Sequence, residues 1–467
     1  MPFPFTLPTT SPISYPTFFT SPSHPSLPLL ASSHRGTLRN ALKAHKRLPP
    51  ASQAANIPHI ITLLTKYTTH LLTLTTALED NTAFLLPAAP QFTTSWRATL
   101  TPPTRRGRLA GESPRIARNG LSYEIFFTLS TLAYAHTLQA LNQLHQVLAS
   151  PSAAAAATPA PADPQQLFNL AAANLLTAAS VYEHLLTRPR PPSAETWPVE
   201  LTPPALAALS AVNMADATLV AVVKQDPYPT YVALTSTGGE AGKREKRRKG
   251  EVGVGVASRE WLYSPPAPPT SVRALLLARL CVAASDHAGR ALGLLGGVES
   301  VAVEFRAYVD ALQRVARAKA CRFLGVDAEG AGRCGEGIAW VGLAREVLGG
   351  AGGGGGGGGG KDGVWGMDAG WAEEERVCKA LESRWRKVND SVLFQVVPGT
   401  AAVAARMPTG REIHSVGVWE APRLGAEEMR ALRMEGAVGV GMEGLEEDSG
   451  EEEEPAKVEY AGKGGYY

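Results

Sequence analysis

The chain has 467 residues, of which 44% are hydrophobic and 19% are charged, and its formal net charge is +2. A chain of this size and hydrophobic content can bury a large core, which excludes disorder throughout and predicts one large domain with tails, or two domains. The small net charge provides no global basic field, so we expect no nucleic-acid partner, and a membrane only through recruitment by another molecule.

The cysteines and the first residues indicate the compartment. The N-terminal residues have neither the basic region nor the apolar run of a signal peptide, and elsewhere we find no run of about 18 uncharged apolar residues. The cysteines are widely separated and form no CxxC pair, which argues against a disulfide framework and a zinc site. We therefore expect a soluble cytoplasmic protein. The four cysteines are Cys281, Cys321, Cys334 and Cys378.

The N-terminal region, residues 1–35, is rich in Pro, Ser, Thr and Phe. Phe3, Phe5 and Leu7 alternate with other residues, which predicts a short extended segment that lies against a core. We expect strand or coil through this region. From about residue 38 to residue 80, apolar residues recur at helical spacing and predict a helix.

Further helices follow, each delimited by Gly, Pro or a capping residue. The segment that starts near Gln165 has two apolar stripes and is therefore expected between other helices. Thr202, followed by two prolines, is typical of a helix N-terminus. With no βαβ alternation, the fold class is mainly all-α, with minor extended or β segments near the N-terminus. The expected helices are about 119–148, from 165, 202–224, 271–295, 300–324, 334–348 and 370–388.

Low-complexity segments interrupt this pattern. The insertions at about 151–164, 236–258 and 349–363 cannot bury enough apolar area to offset the entropy of ordering, so we expect flexible loops. After residue 420 the periodicity is lost and acidic runs follow. We expect one domain over 1–420 and a disordered acidic tail over 421–467.

Two glycine-rich stretches resemble nucleotide-binding loops only superficially. The run 352–360 precedes Lys361, but Asp362 stands where a phosphate-binding loop needs Ser or Thr, and no strand precedes it. Gly439, Gly441 and Gly444 match the dinucleotide fingerprint without its strand and helix. We therefore expect no cofactor at either stretch.

The other candidate motifs do not identify a functional site either. The basic heptapeptide 243–249 is either a solvated loop, which we favour, or a patch for nuclear import or acidic lipid. The histidines form no HExxH pair, and there is no GxSxG elbow. We expect no catalytic residue, no metal and no enzyme.

Three consecutive motifs resemble the BRO1-domain family. Leu121-Ser122-Tyr123-Glu124 leads into an apolar helix with small residues, as at the start of the BRO1 signature. The stretch 167–185 resembles the next helix of that family, and 201–217 resembles its following helix. Their order and spacing both agree with the family.

Terminal motifs resemble one branch of this family, the fungal regulators of the response to ambient pH. These motifs are residues 3–10, 389–395 with Pro398, and 407–414, and the resemblance covers about residues 1–415. The longer endosomal scaffolds of the family match less well.

The resemblance implies a curved helical body with a tetratricopeptide-like core and an adaptor function. Members of this branch bind the C-terminal amphipathic helix of the ESCRT-III subunit Snf7/Vps32. The resemblance further implies that they link a plasma-membrane pH sensor, a receptor/arrestin complex, to ESCRT-III and so promote proteolytic activation of a zinc-finger transcription factor. The implied location is the cytoplasm, with recruitment to ESCRT sites at the plasma membrane or endosomes.

Three other functions stay open at this point. The chain could be a general ESCRT adaptor in multivesicular-body sorting, a helical scaffold unrelated to ESCRT, or an enzyme with an unrecognised site. A pocket that gathers titratable side chains would favour the enzyme. Consecutive stacking of the motif helices, with an exposed apolar groove, would favour the ESCRT adaptor over the unrelated scaffold.

The partner helix is expected to bind through a few exposed aliphatic residues of the helix 202–224, because a bound amphipathic helix places its apolar face in a groove. The alternative for each residue, an ordinary place in the core, has at least even weight. The candidates are Leu209, Val212 and Met214, supported by Leu206.

Overall fold

A computed structural model describes residues 1–86, 91–102, 113–148, 163–192, 197–233, 269, 272–298, 301–349 and 367–434. The expected insertions lie outside the described residues, except for residues 163, 164 and 349. The basic heptapeptide, the glycine run with Lys361 and the tail from residue 435 also lie outside them.

Most of the described residues are helical, which confirms the all-α expectation. The long helices begin and end close to the expected bounds from residue 119 onward. The helices are α1 (Ser26–Arg47), α2 (Pro50–Glu79), α3 (Leu121–Leu148), α4 (Pro164–Thr187), α5 (Pro203–Val223), α6 (Ala274–Gly296), α7 (Val303–Gly330), α8 (Cys334–Gly349), α9 (Met367–Val388), α10 (Thr400–Ala404) and α11 (Ala426–Met434).

Each long helix packs against the next one along the chain, from α1 through α9. Such consecutive stacking is typical of helical-repeat architectures, in which every unit buries its apolar faces against its neighbours. One large cluster of buried apolar side chains runs through the stack from Phe5 to Leu432. The motif helices therefore stack consecutively, which is the first of the two features that would favour the ESCRT adaptor.

Helix termini follow local sequence signals with one exception. The Asp163 side chain accepts a hydrogen bond from the backbone N–H of Gln165, which caps α4. Thr202 occupies the N-cap position of α5, but its hydroxyl donates to the carbonyl of Val199 instead of capping the helix. The two prolines that follow need no backbone hydrogen bond in the first turn.

Two small antiparallel sheets lie beside the N-terminal helices. Strand β1 (Phe19–Thr20) pairs with β2 (Phe84–Leu85). Strand β3 (Thr93–Arg97) pairs with β4 (Arg115–Asn119), which ends next to α3. The expected minor strand content is thus confined to residues before α3 in the described chain.

The extended N-terminal segment lies against the helical core, as its alternation predicts. The ring of Phe5 stacks on Tyr134 of α3 with centroids 4.3 Å apart. The ring of Phe3 contacts Phe305 of α7 edge-on at 5.2 Å. The segment therefore joins two helices that are far apart in sequence.

The expectation of strand or coil through residue 35 is wrong for its last third, because α1 already begins at Ser26. Leu27, Ala31, Leu38 and Leu42 form its buried stripe, and Arg35 occupies the middle of that stripe. A charged residue on the core face breaks the apolar pattern and hides the helix in the sequence.

A C-terminal strap, residues 405–425, crosses the helical stack after α10. The backbone N–H of Arg411 donates to the carbonyl of Arg279 on α6 at 3.0 Å. A side chain at Gly410 would clash with the backbone of Ala283, since a Cβ there would lie 2.8 Å from it. The ring of Trp419 packs on His184 of α4 with centroids 4.9 Å apart. The strap thus contacts two separate helices.

Ordered structure continues past residue 420, where we expected the acidic tail to begin. Helix α11 packs on α1, with Leu432 buried and the Ser26 hydroxyl donating to the Leu432 carbonyl at 3.0 Å. Its stripe is short and flanked by charges, so the sequence pattern does not reveal it. The described structure differs from the expectation over residues 421–434.

A buried carboxylate joins the first half of the fold. Glu124, at the start of α3, accepts hydrogen bonds from Arg35 Nε at 2.7 Å, Tyr67 Oη at 2.7 Å and Trp96 Nε1 at 2.6 Å. Burial alone would raise the pKa of Glu124, but Arg35 and these hydrogen bonds lower it below its usual value. The carboxylate is therefore charged and ties α1, α2, β3 and α3 together.

Replacing this carboxylate tests its structural role. We expect Glu124→Gln to lower the free energy of unfolding by about 3–5 kcal/mol, because it leaves the buried Arg35 guanidinium without an ionic partner. Urea unfolding followed by circular dichroism measures the change. As a control, Glu375→Gln removes an exposed carboxylate that pairs with Lys379, and should cost less than about 1 kcal/mol. Equal costs for the two variants would contradict this role.

Candidate partner-binding site

The four residues expected to bind a partner are all buried. Their exposed fractions are 0% for Leu206, 0% for Leu209, 2% for Val212 and 4% for Met214. Helix α5 packs between α4 and α6, so its middle turns are covered on both sides. The expectation that these residues are exposed in a groove is therefore wrong, and in this structure they belong to the core.

Helix α5 is also long and apolar enough to cross a membrane, by length and composition alone. The sequence did not lead us to expect this, because Asp216 interrupts the apolar run. In the structure, 83% of the most apolar window of α5 is buried inside the protein. A core helix of this kind passes the same test as a membrane span.

A small apolar pocket opens at the last turn of α5 instead. Val223 is 42% exposed at its edge. A cavity of about 70 Å³ opens between the ends of α3, α4 and α5 beside the N-terminal residues. We call this region the α4/α5 groove. It is lined by Met1, Pro2, Leu144, Phe168, Asp216, Leu219, Val220 and Val223.

A polar rim borders the apolar lining. Lys224 Nζ donates to Asn169 Oδ1 at 2.8 Å, which links the end of α5 to the start of α4. The turn after Lys224 is fixed through Asp226, whose carboxylate accepts from Arg322 and from the backbone N–H of Tyr228. The edge of the groove thus carries one cation on a well-anchored turn.

A second buried ionic cluster holds that turn in place. Glu374 of α9 accepts from Lys319 Nζ at 2.7 Å and from Arg322 Nε at 2.5 Å, both on α7. Burial would raise the pKa of Glu374, but the two cations lower it to about 2. Since Arg322 also binds Asp226, the cluster connects α7 and α9 to the rim of the groove.

The floor of the groove contains a buried carboxylate. The Tyr308 hydroxyl lies 2.9 Å from both carboxylate oxygens of Asp216 and 3.0 Å from the carbonyl oxygen of Met1. Burial raises the pKa of Asp216 to about 6, although the N-terminal ammonium group and the Tyr308 hydrogen bond act in the opposite direction.

A second, open cleft of about 760 Å³ lies between α8, α9 and residues 397–400. Glu382 lies at its side and pairs with Arg345 at 2.6 Å and Arg386 at 2.9 Å. Among the residues that the structure describes, no group of three or more His, Cys, Asp or Glu side chains is placed to hold a metal ion. The cleft thus has two arginines, each paired with Glu382, on the side that faces residues 397–400.

Comparison with known proteins identifies the family. No protein-family model matches the sequence. The pH-response regulator protein palC of Emericella nidulans, however, is 32% identical over 479 aligned positions, which cover 88% of each chain. The chain belongs to the PalC family of pH-response regulators. The branch expected from the terminal motifs is confirmed.

Solved structures confirm the BRO1 fold of this PalC-family chain. A crystal structure of ALIX with a SIVmac239 late-domain peptide matches with a TM-score of 0.56 and 15% identity. The match covers 90% of this chain and 49% of that one, so the chain spans about half of its length. A complex of the ALIX BRO1 domain with CHMP4C matches with a TM-score of 0.51 and 15% identity, covering 91% and 96% of the two chains.

The BRO1 motif was recognised from the sequence, whereas the residues of the groove were not. Glu124 of the BRO1 motif is the carboxylate that joins the N-terminal helices, which gives the motif a structural reason. The groove residues Leu219, Val220 and Val223 were missed in favour of residues two or three turns earlier. The signal that could have found them is the position of Val223 next to Lys224, where an apolar helix ends in a polar turn.

Substituting the buried candidates should unfold the protein. We expect Val212→Asp to lower the free energy of unfolding by about 4 kcal/mol or more, because it places an unpaired carboxylate in the core between helices. Thermal unfolding followed by circular dichroism measures this loss. A Val212→Asp protein with wild-type stability would show that the side chain reaches solvent.

The carboxylate on the groove floor should make stability depend on pH. Because its pKa is higher in the folded than in the unfolded chain, folding takes up a proton between about pH 4 and pH 6, and stability decreases as pH rises through that range. Asp216→Asn removes this destabilising group. Its free energy of unfolding should exceed that of the wild type by up to about 3 kcal/mol at pH 8 and should equal it below pH 4.

Urea unfolding at several pH values measures this difference. Asp310→Asn is the control, since Asp310 lies on the same helix as Tyr308 but is exposed and pairs with Arg314 at the surface. The control should show no gain at any pH. An Asp216→Asn variant that is less stable than the wild type at pH 8 would contradict the assignment.

Proposed function

We propose that this chain is a non-enzymatic adaptor of the fungal response to ambient alkaline pH, which binds the C-terminal helix of Snf7/Vps32. The observation that carries the proposal is the 32% identity to palC over 88% of both chains. In this function the chain links a plasma-membrane sensor complex to ESCRT-III. The link promotes proteolytic activation of a zinc-finger transcription factor.

The α4/α5 groove is the proposed contact for the partner helix. It combines an apolar lining, the exposed Val223 at its edge and a lysine on its rim. An amphipathic helix binds such a surface through a few apolar anchors, while charges at the rim set its orientation. The complex of the ALIX BRO1 domain with CHMP4C supports an ESCRT-III partner for this fold.

The energetics fit a reversible adaptor. Covering an exposed Val or Leu contributes roughly 1–2 kcal/mol, so a groove with a few anchors gives moderate affinity after the entropy of association is subtracted. The side chains below the edge are already packed, and the Asp226 ion pair fixes the turn beside them. Binding therefore orders little of this protein, and the complex can form and dissociate as the signal changes.

Two other functions remain as alternatives. A general adaptor of multivesicular-body sorting would bind the same ESCRT-III helix but would not be required for the pH response. A helical scaffold unrelated to ESCRT would not bind the helix at all. If the first alternative holds, a strain that lacks this protein should still process the transcription factor. If the second holds, the purified chain should not bind the Snf7/Vps32 helix.

Substitutions at the edge of the groove test the contact. We expect Val223→Asp to weaken binding of a fluorescent peptide from the Snf7/Vps32 C-terminus at least tenfold, because a carboxylate cannot be covered by an apolar helix face without desolvation. The fold should persist, since the wild-type side chain is exposed. Fluorescence anisotropy measures binding, and circular dichroism verifies the fold.

This variant has matched controls at other surfaces. Val303→Asp changes a valine on α7 that is 77% exposed, and it should bind like the wild type. Leu275→Asp, at an exposed leucine of α6, is a second control and should also bind like the wild type. Wild-type binding by Val223→Asp would exclude the α4/α5 groove as the contact. If the folded wild type did not bind the peptide, Snf7/Vps32 would be excluded as the partner.

A further inference from the structure

Exposed apolar side chains are concentrated in one short turn after α9. Of the fifteen large exposed hydrophobic residues in the described chain, six lie within residues 388–397, which we call the apolar turn. Isolated exposed apolar residues are ordinary, but a contiguous set marks an interaction surface. The six residues are Val388, Val392, Leu393, Phe394, Val396 and Val397.

The apolar turn is held rigidly by polar residues within it. Asn389 Nδ2 donates to the carbonyl of Gln395, and the backbone N–H of Gln395 donates to Asn389 Oδ1, both at 3.0 Å. The Gln395 side chain donates to the carbonyl of Gly332 at 2.8 Å and accepts from the N–H of Gly335 at 3.0 Å. A side chain at Gly335 would collide with the carbonyl of Val396. The turn is therefore fixed to the start of α8.

The backbone that directs these apolar side chains outward is strained at one residue. Phe394 has φ 49°, a left-handed conformation that non-glycine residues rarely adopt. A strained residue of this kind persists only where surrounding contacts enforce it, as the Asn389 and Gln395 hydrogen bonds do here. Val396, at 90% exposed, and Phe394, at 74%, extend into solvent on either side of the anchored Gln395.

Basic side chains surround the apolar turn. Arg345 and Arg386 share the carboxylate of Glu382, and Arg333 and Arg406 share that of Glu336. Four guanidinium groups thus share two carboxylates, and three of the four are more than half exposed. Exposed Lys387 adds a cation beside exposed Asp390. Glu346 lines the same cleft as Val397 and Arg345, so these five cations face four carboxylates and the excess of positive charge is one.

We propose that the apolar turn inserts into the interfacial layer of an anionic lipid membrane. The most exposed side chains, Phe394 and Val396, do not line the open cleft that Val397 borders, whereas a partner helix needs a concave apolar surface. Apolar side chains that enter the acyl boundary, ringed by cations that attract acidic headgroups, are the chemistry of a peripheral membrane contact. Because the four arginines already share carboxylates, the contact is weak and adds to recruitment by protein partners.

Vesicle binding by the full chain tests this proposal. Wild type should co-sediment with phosphatidylcholine vesicles that contain about 30% phosphatidylserine, bind pure phosphatidylcholine much less, and dissociate as salt is raised. Val396→Asp and Phe394→Asn should each lower the partition coefficient at least tenfold. Asn tolerates the left-handed conformation, so the second variant should keep the fold.

The control is Val418→Asp, which changes a valine of the C-terminal strap that is 94% exposed. It should bind vesicles like the wild type, and circular dichroism verifies that all variants fold. No vesicle binding by folded wild type would overturn the proposal, as would equal binding by Val396→Asp. Loss of Snf7/Vps32 peptide binding in Val396→Asp with vesicle binding unchanged would also overturn it, by making the turn a protein contact. The Val223→Asp variant should bind vesicles like the wild type. Failure of the membrane proposal can therefore be distinguished from failure of the α4/α5 groove proposal.

Discussion

The ion pair between Arg35 and Glu124 is the constraint on which the N-terminal half of the structure depends. One buried carboxylate binds side chains from α1, α2 and β3 at the first turn of α3. The same guanidinium donates to the Thr10 hydroxyl at 2.6 Å, which fixes the extended N-terminal segment. Because a buried charge is tolerated only with full partners, arrangements that separate these segments from Glu124 are disfavoured. The acidic residue of the BRO1 motif is therefore an element of architecture.

The second ionic cluster has the same role in the other half of the chain. Glu374 binds two cations of α7, and one of these, Arg322, also binds Asp226 just after α5. The end of α5 is thereby held while its middle is enclosed between α4 and α6. A single helix thus supplies core residues along most of its length and surface residues at its last turn. The α4/α5 groove results from this division.

The long helices were predictable because apolar periodicity survives in them, and the motifs of residues 121–217 were sufficient for the family. Helix α1 was placed too late because Arg35 lies on its buried face, where a pattern analysis expects an apolar residue. Exposure within α5 was predictable only at its end, where Val223 precedes Lys224. In the middle of the helix, the burial of Val212 depends on which neighbouring helices cover it. The apolar turn was recognised as a family motif, but its exposure depends on the Gln395 anchor, which joins residues far apart in sequence.

We propose that this PalC-family chain binds the Snf7/Vps32 helix in the α4/α5 groove. Hydrogen–deuterium exchange of the full chain, with and without a saturating amount of the C-terminal helix peptide, tests it most directly, because it locates the contact without any substitution. We expect slower exchange in the first turns of α4 and the last turn of α5 through Lys224, and no change in residues 388–397. Protection confined to another surface, or no protection while the peptide is bound, would exclude the α4/α5 groove as the binding site.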